Sequence, residues 1–349
     1  MTKTPKKSWF IALLQRIARW IFIRFISYSP AQETRGLTLT LQLVQYAEKG
    51  QQPQMKIRER LLLKNYIDLM RPPQYFKNLF IFAPLFFGLK ITNLELLSKV
   101  FLAFLSFSLI ASAVYVFNDY HDVEEDKLHP TKKNRPLASG SISKKAALLL
   151  MLTLLLAGLS SAFLLSRQML YIVFAYLVLN STYTLKLKHV AIIDVFIIAI
   201  GFVLRLFIGS AVTNIQLSMW IILMTFLLAL FLALAKRRDD VLVFLSGGDK
   251  VRKVVDGYNL DVVNLSMTII ASVTIVSYIM YTVSPEVIKK AHTDKLYLSV
   301  VFVLLGIMRY LQIAFVDKDS GSPTDVLLRD RFIQLTILGW VLTLSVLIY

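Results

Sequence analysis

Apolar runs of about 20 residues, the length that a helix needs to cross a bilayer, recur along the chain between short polar clusters. A soluble α/β enzyme of this length would show shorter apolar runs interleaved with polar faces. Of the 349 residues, 56% are hydrophobic and only 17% are charged. The sequence therefore predicts an all-α, polytopic membrane protein.

Nine transmembrane helices are predicted from residue 64 onward. The predicted spans are 74–91, 97–118, 144–165, 169–187, 190–210, 217–236, 262–283, 295–315 and 332–349. Loops on the side shared with the N-terminus hold 17 basic residues, and the opposite loops hold six. Because Lys and Arg are enriched in cytoplasmic loops, we expect the N-terminus in the cytoplasm, the C-terminus outside, and the protein in the cell inner (cytoplasmic) membrane.

The N-terminal region, residues 1–60, differs from the rest of the chain. Residues 8–28 are mostly apolar, but four polar side chains project onto about half of a helical wheel. These are Gln15, Arg16, Arg19 and Arg24. This pattern is typical of an amphipathic helix that lies in the membrane interface, although an extra span is an alternative. No small-residue cleavage site follows it, so we do not expect a removed signal peptide. A polar linker follows, and residues 61–349 are predicted to form the transmembrane catalytic domain.

The net charge of +17 is carried mainly by connecting loops rather than by one soluble face. Anionic lipid headgroups and the positive-inside bias account for such charge, so no nucleic-acid partner is expected. The chain has no cysteine, which excludes disulfides, thiolate metal sites and cysteine nucleophiles. The sequence does not fix the oligomeric state; a homo-oligomer is compatible with it.

An acidic motif ends the second predicted span. Asn118, Asp122 and Asp126 are spaced i, i+4 and i+8, so a helix places them along one face. Three oxygen ligands of this kind suit a hard cation such as Mg²⁺. Asp119 points about a quarter-turn away on this reading and is a weaker ligand candidate. The alternative interpretation is a solvated charged loop.

Basic residues follow this motif closely at Lys132, Lys133 and Arg135. Acidic side chains for a metal beside basic side chains for phosphate oxygens are what diphosphate chemistry requires. We therefore predict Asp122, Asp126, Lys132 and Arg135 as catalytic residues.

Further charged positions lie at the same predicted membrane face. Lys188 ends the fourth span, and Asp194 and Arg205 stand three turns apart in the fifth span, on nearly one face; a structural ion pair or a snorkelling arginine is the alternative. Lys236 and Arg237 end the sixth span, and Lys77 lies near the start of the first; membrane anchoring is the alternative for these. A carrier would place such groups near the membrane midplane instead.

At these residues the sequence resembles the UbiA-type prenyltransferase superfamily, whose signature NDxxDxxxD stands here as Asn118-Asp119-x-x-Asp122-x-x-x-Asp126. It resembles most closely the decaprenyl-phosphate phosphoribosyltransferase branch. The stretches that carry this resemblance are Arg71–Phe87, Ala111–Gly140, Lys188–Gly209, Ala235–Asp239 and Arg309–Arg331. The resemblance covers residues 64–349 and implies a UbiA-like helical bundle.

One departure from the wider superfamily distinguishes this chain from the aromatic prenyltransferases. Aromatic prenyltransferases carry a second acidic motif, DxxxD, on the sixth helix, whereas this chain has Lys236-Arg237-Arg238-Asp239-Asp240. The change argues against a prenyl diphosphate donor and fits a donor whose additional phosphate needs cationic contacts.

The resemblance implies Mg²⁺-dependent transfer of 5-phosphoribose from phosphoribosyl diphosphate to a polyprenyl (decaprenyl-type) phosphate, as a step in cell-envelope arabinose-donor synthesis. It implies that Asn118, Asp122 and Asp126 hold the metal. The candidate substrate-binding residues are Lys77, Tyr115, Lys132, Arg135, Lys188, Arg205, Lys236 and Arg237. Two other functions are weighed: prenyl transfer from a diphosphate to an aromatic acceptor, and an anion carrier, which has little use for aligned metal ligands.

Overall fold

A computed structural model of the chain describes residues 55–128, 132–245, 257–318 and 323–348. The chain divides into two compact units, Met1–Asp68 and Leu69–Tyr349. The predicted interfacial helix at 8–28 lies outside the described residues, and the predicted domain boundary after residue 60 stays a prediction.

The described residues form helices joined by short turns, and they contain no strand. The all-α prediction is thus confirmed for this part of the chain. The α-helices are α1 (Met55–Met70), α2 (Ala83–Phe87), α3 (Leu94–His121), α4 (Val123–Leu128), α5 (Lys144–Leu165), α6 (Arg167–Leu185), α7 (Ile193–Thr213), α8 (Met219–Leu245), α9 (Leu260–Val283), α10 (Pro285–Ala291), α11 (Val300–Gln312), α12 (Pro323–Arg329) and α13 (Arg331–Ile348). Short 3-10 helices cover Pro72–Phe82, Lys132–Asn134, Leu187–His189 and Lys295–Ser299, and a π-helical turn covers Ile313–Asp317.

Within the described ranges, seven helices are long and apolar enough to cross a membrane. They correspond to seven of the nine predicted spans, and α6 covers an eighth predicted position with 19 residues. The predicted span 74–91 instead forms the 3-10 helix Pro72–Phe82 and the five-residue helix α2. Pro72, Pro73 and Pro84 lack the amide donor that a continuous α-helix needs. The count of nine spans therefore stays a prediction.

Polar residues at the helix starts define where the long helices begin. The side chains of Asn93, Ser143, Ser166 and Asn259 each accept a hydrogen bond from the backbone amide three residues further on. Such caps satisfy amides that have no partner within the helix. Helices α3, α5, α6 and α9 thus start where the sequence places an Asn or Ser before an apolar run.

Helix α7 stands between two buried apolar clusters. One cluster joins α3 and α6 to the α7 residues Ile208 and Val212, and the other joins α8 and α9 to the α7 residues Val195 and Ala199. At Gly209 a Cβ atom would lie 2.0 Å from the Ile81 carbonyl oxygen, so α7 approaches the first 3-10 helix closely. The two ionisable residues of α7 consequently face different neighbours.

Candidate active site

The acidic motif lies where α3 passes into α4 at one end of the bundle. The Asp122 amide donates to the Asn118 carbonyl at 2.9 Å, and the Asp126 amide donates to the Asp122 carbonyl at 2.8 Å. These bonds continue the helical pattern across the break between the two helices, so all members of the motif stay at that end.

The structure sorts the motif into two pairs, which corrects the predicted single row. Asn118 accepts a hydrogen bond from the Thr184 hydroxyl, and Asp122 accepts one from Lys188 Nζ at 2.5 Å. The two partners are four residues apart: Thr184 lies in the last turn of α6, and Lys188 lies in the 3-10 helix that follows it. Asp126 instead groups with Asp119, because both carboxylates bond to one shared cation, Arg135.

Arg135 joins Asp119 and Asp126. Its Nη1 atom lies 3.0 Å from Asp119 Oδ1 and 2.6 Å from Asp126 Oδ2. Asp119 is 2% exposed and also accepts from Arg71. The residue that the sequence ranked as the weaker ligand is thus the most buried acid of the motif and is held by two arginines.

Arg71 was not predicted as a site residue. It adopts a left-handed backbone conformation, with φ of 55°, immediately before Pro72 and Pro73. A proline disfavours the α conformation in the residue before it, and this turn directs the Arg71 side chain to Asp119. Its guanidinium also lies 5.2 Å from the ring centre of Tyr115. The Arg-Pro-Pro sequence was the only signal for this role.

The chemistry of the donor groups fits Mg²⁺. Among the described residues, no three acidic or histidine side chains lie close enough together to hold a metal by themselves. Magnesium is usually bound by one or two carboxylates, with water and substrate phosphates completing its shell. The oxygens of Asn118 and Asp122, which bond to the neighbouring residues Thr184 and Lys188, suit that mode of binding.

Three cations, Arg71, Lys77 and Arg205, form a group, and Tyr115 lies within electrostatic range of Arg71 and Arg205. Lys77 is within electrostatic range of Arg71 and Arg205, and also of Asp325. Of these, Lys77 and Arg205 were predicted as substrate-binding residues, and the structure brings them together. Positive charge therefore gathers beside the acidic motif, where phosphate groups can bind it.

Arg205 is 5% exposed although it lies within an apolar helix. It donates to Asn78 Oδ1 at 2.9 Å and to the Gly201 carbonyl at 2.6 Å. Its guanidinium lies 5.0–5.4 Å from three ring centres, those of Phe107, Tyr176 and Phe202. It does not pair with Asp194, the alternative considered from the sequence, since Asp194 bonds to partners on α8 and before α9.

Arg237 differs from the predicted phosphate-binding role. It is 1% exposed, and its Nη1 atom lies 2.5 Å from Asp240 Oδ2. Its Nε atom lies 3.2 Å from Asp194 Oδ2, within ion-pair distance but without hydrogen-bond alignment. Arg237 is thus enclosed by two carboxylates, and its predicted phosphate-binding role stays a prediction. Lys132 and Lys236 are half-buried and keep their predicted roles as hypotheses.

Comparison with known proteins places this fold and motif in a family. The model of the UbiA prenyltransferase family matches residues 79–328. Proteins named decaprenyl-phosphate phosphoribosyltransferase are similar: that of Mycobacterium tuberculosis is 30% identical, covering 81% of this chain and 94% of the relative, and that of Mycolicibacterium smegmatis is 31% identical, covering 82% and 93%.

A solved structure has the same fold. It is a UbiA homologue from Archaeoglobus fulgidus bound to DMAPP and Mg²⁺, with a TM-score of 0.61 and 19% identity, covering 81% of this chain and 99% of that one. The extent of the family match, the NDxxDxxxD motif and the helical bundle agree with one another. This chain belongs to the UbiA prenyltransferase family and is a polytopic membrane protein.

Proposed function

We propose that this protein transfers 5-phosphoribose from phosphoribosyl diphosphate to a polyprenyl phosphate and releases diphosphate. The relatives that are 30–31% identical over most of their length carry the name of that activity. The proposal extends to a decaprenyl-type acceptor and to a step in cell-envelope arabinose-donor synthesis. It also includes an inner-membrane location with the site facing the cytoplasm, which the loop charges favour.

The grouping of Arg71, Lys77 and Arg205 beside the acidic motif carries this proposal. A donor with a diphosphate at one end of a sugar and a phosphate at the other brings more negative charge than a prenyl diphosphate does. Arg and Lys meet such charge with charge-assisted hydrogen bonds.

We assign Asn118 and Asp122, with Asp126 as the further predicted ligand, to holding Mg²⁺. When bound there, the ion would neutralise charge that develops on the leaving diphosphate. Lys188 and Arg135, which now neutralise Asp122 and Asp126, would turn to phosphate oxygens. Lys132 lies three residues before Arg135 in the same connecting segment. Each acid thus exchanges a cationic side chain for the metal, and each cation exchanges a carboxylate for a phosphate.

The bond changes are balanced without a redox partner. The bond between ribose C1 and the diphosphate oxygen breaks, and diphosphate leaves with the electron pair. An oxygen of the acceptor phosphate forms the new bond to C1. That oxygen is already anionic, so no general base is required. The protein's residues therefore bind and orient the donor diphosphate and the acceptor phosphate, and they stabilise the charge that develops on the leaving diphosphate. Such electrostatic stabilisation is the largest catalytic contribution in many enzymes.

The proposal is tested by supplying two substrate pairs to the purified full-length protein with Mg²⁺. We expect diphosphate release with phosphoribosyl diphosphate plus polyprenyl phosphate. Release only with polyprenyl diphosphate plus an aromatic acid would overturn the proposal in favour of prenyl transfer. An Asp122→Asn variant run in parallel shows whether the release depends on the acidic motif.

A further inference from the structure

Tyr258, two residues before the start of α9, has a hydroxyl that bonds to two residues at the start of α7. It donates to Asp194 Oδ1 at 2.7 Å and accepts from the Ile192 amide at 2.7 Å. The residue is 8% exposed within an apolar cluster. No step of the proposed reaction uses it, and its position in the sequence gave no signal of a role.

The turn that Tyr258 contacts is strained. Ile192 has φ of 70° and ψ of −50°, a region that β-branched residues rarely adopt because of steric clashes. Strained backbone of this kind persists only where surrounding contacts hold it. The hydrogen bond from the Ile192 amide to Tyr258 is one such contact.

Gly257 shows independently that this segment sits directly on the same turn. A Cβ atom at residue 257 would lie 2.6 Å from the Ala191 Cβ, closer than two carbon atoms can approach without displacement. Two successive residues therefore fit the turn: Gly257 by having no side chain, and Tyr258 by its hydroxyl.

Val190 alone separates the turn at Ala191–Ile192 from the 3-10 helix Leu187–His189, which carries Lys188. Backbone bonds run through the junction: the Val190 amide donates to Leu187 at 3.1 Å, and the Asp194 amide donates to Val190 at 3.1 Å. These bonds connect the turn to the segment that carries Lys188, whose ammonium group contacts Asp122.

We infer that Tyr258 is a positioning residue, which clamps the turn at Ala191–Ile192 and thereby sets Lys188 against Asp122. Asp194 takes part by receiving the Tyr258 hydroxyl while it pairs with Arg237. The inference rests on the proposed function in treating Lys188 as a donor-binding group.

The Tyr258 hydroxyl is expected to keep its proton at neutral pH. Burial and, next, the hydrogen bond to the Asp194 carboxylate raise the pKa of the Tyr258 hydroxyl. The hydroxyl therefore stays a donor, and Tyr258→Phe removes that donor while retaining the buried ring.

Hydrogen exchange on the full-length protein in detergent tests the clamp without any substrate. In Tyr258→Phe we expect the Ile192 amide to exchange about tenfold faster or more, because its acceptor is lost. Gly257→Ala should have the same effect by displacing the segment. Tyr171→Phe, at a 71% exposed tyrosine of α6, is the matched control. Unchanged exchange at Ile192 in both variants would overturn the inference.

A double-mutant cycle with Lys188→Gln tests the positioning role. The measured quantity is the Kd of phosphoribosyl diphosphate in the presence of Mg²⁺, so turnover is not needed. Tyr258→Phe should weaken binding about tenfold alone and less than about twofold in the Lys188→Gln background, since coupled residues are not additive. Additive effects would overturn the positioning role. If the wild type does not bind the donor, the proposed function fails, whereas the exchange result still decides on the clamp.

Discussion

Lys188 Nζ lies 2.5 Å from Asp122 Oδ1, so a candidate phosphate-binding cation neutralises a candidate metal ligand. Arg135 does the same for Asp119 and Asp126. Metal and donor phosphates therefore compete for groups that already bond to each other. When Mg²⁺ and the donor bind together, the metal replaces the cation at each carboxylate and a phosphate replaces the carboxylate at each cation. We therefore expect the donor and Mg²⁺ to bind cooperatively.

Lys188→Gln is predicted to raise the affinity of the donor-free protein for Mg²⁺. Its ammonium group no longer competes for Asp122, and an ion pair that is partly exposed contributes roughly 1 kcal/mol, or about fivefold in affinity. Titration calorimetry with Mg²⁺ alone measures this. Lys186→Gln, at an exposed lysine of the same loop, should leave the affinity unchanged. A lower Mg²⁺ affinity in Lys188→Gln would contradict the competition.

Asp122→Asn is predicted to lower kcat by about 10²-fold or more while the protein stays folded, because it removes an electrostatic contribution to the transition state. Steady-state diphosphate release at saturating Mg²⁺ is the measurement. Glu125→Gln, three residues further on and exposed, is the control for loss of one negative charge. More than half of the wild-type rate in Asp122→Asn would rule out the metal-ligand role.

Asp119→Asn is predicted to lower the thermal stability of the protein in detergent more than Asp122→Asn does. Removing one partner of a buried ion pair costs roughly 3–5 kcal/mol, and the Asp119 side chain is 3% exposed whereas that of Asp122 is 25% exposed. We expect the low end of that range, since both arginines retain some solvent contact. An equal or smaller loss of Tm for Asp119→Asn would show that its two arginines do not depend on it.

The pair Lys236→Gln and Arg237→Gln separates substrate binding from structure. Arg237→Gln leaves two buried carboxylates without their cation, so we expect a large fall in Tm and in yield, on the scale of roughly 3–5 kcal/mol. Lys236→Gln should lower the Tm less than Arg237→Gln does and raise the KM for the donor more than the KM for the acceptor. Normal stability with a raised donor KM in Arg237→Gln would instead support its predicted phosphate-binding role.

The sequence predicted the parts of this molecule that depend on local pattern. The length of the apolar runs predicted the helices, and the spacing of Asn118, Asp122 and Asp126 placed the candidate site at the end of α3. The sequence did not predict that Asp126 would join Asp119, because that grouping is set by Arg135 from a separate turn.

The same limit applies to the cations. Nothing in the run Lys236-Arg237-Arg238 distinguishes a half-buried lysine from an arginine enclosed by Asp194 and Asp240, since the second carboxylate comes from another helix. A role for Tyr258 was not predicted for the same reason: its partners lie 64 and 66 residues away in sequence. Contacts between distant elements, which the local sequence does not show, decide whether a charged residue is enclosed by partners inside the protein.

The proposed transfer is tested most directly by following a doubly labelled donor. Phosphoribosyl diphosphate is labelled with ¹⁴C in the ribose and with ³²P in the outer phosphate of the diphosphate, and is incubated with full-length protein, Mg²⁺ and polyprenyl phosphate. Cleavage at ribose C1 predicts ¹⁴C in the lipid fraction and an equal amount of ³²P in water-soluble diphosphate. Appearance of ³²P in the lipid fraction, or no ¹⁴C there, would contradict phosphoribosyl transfer by this protein.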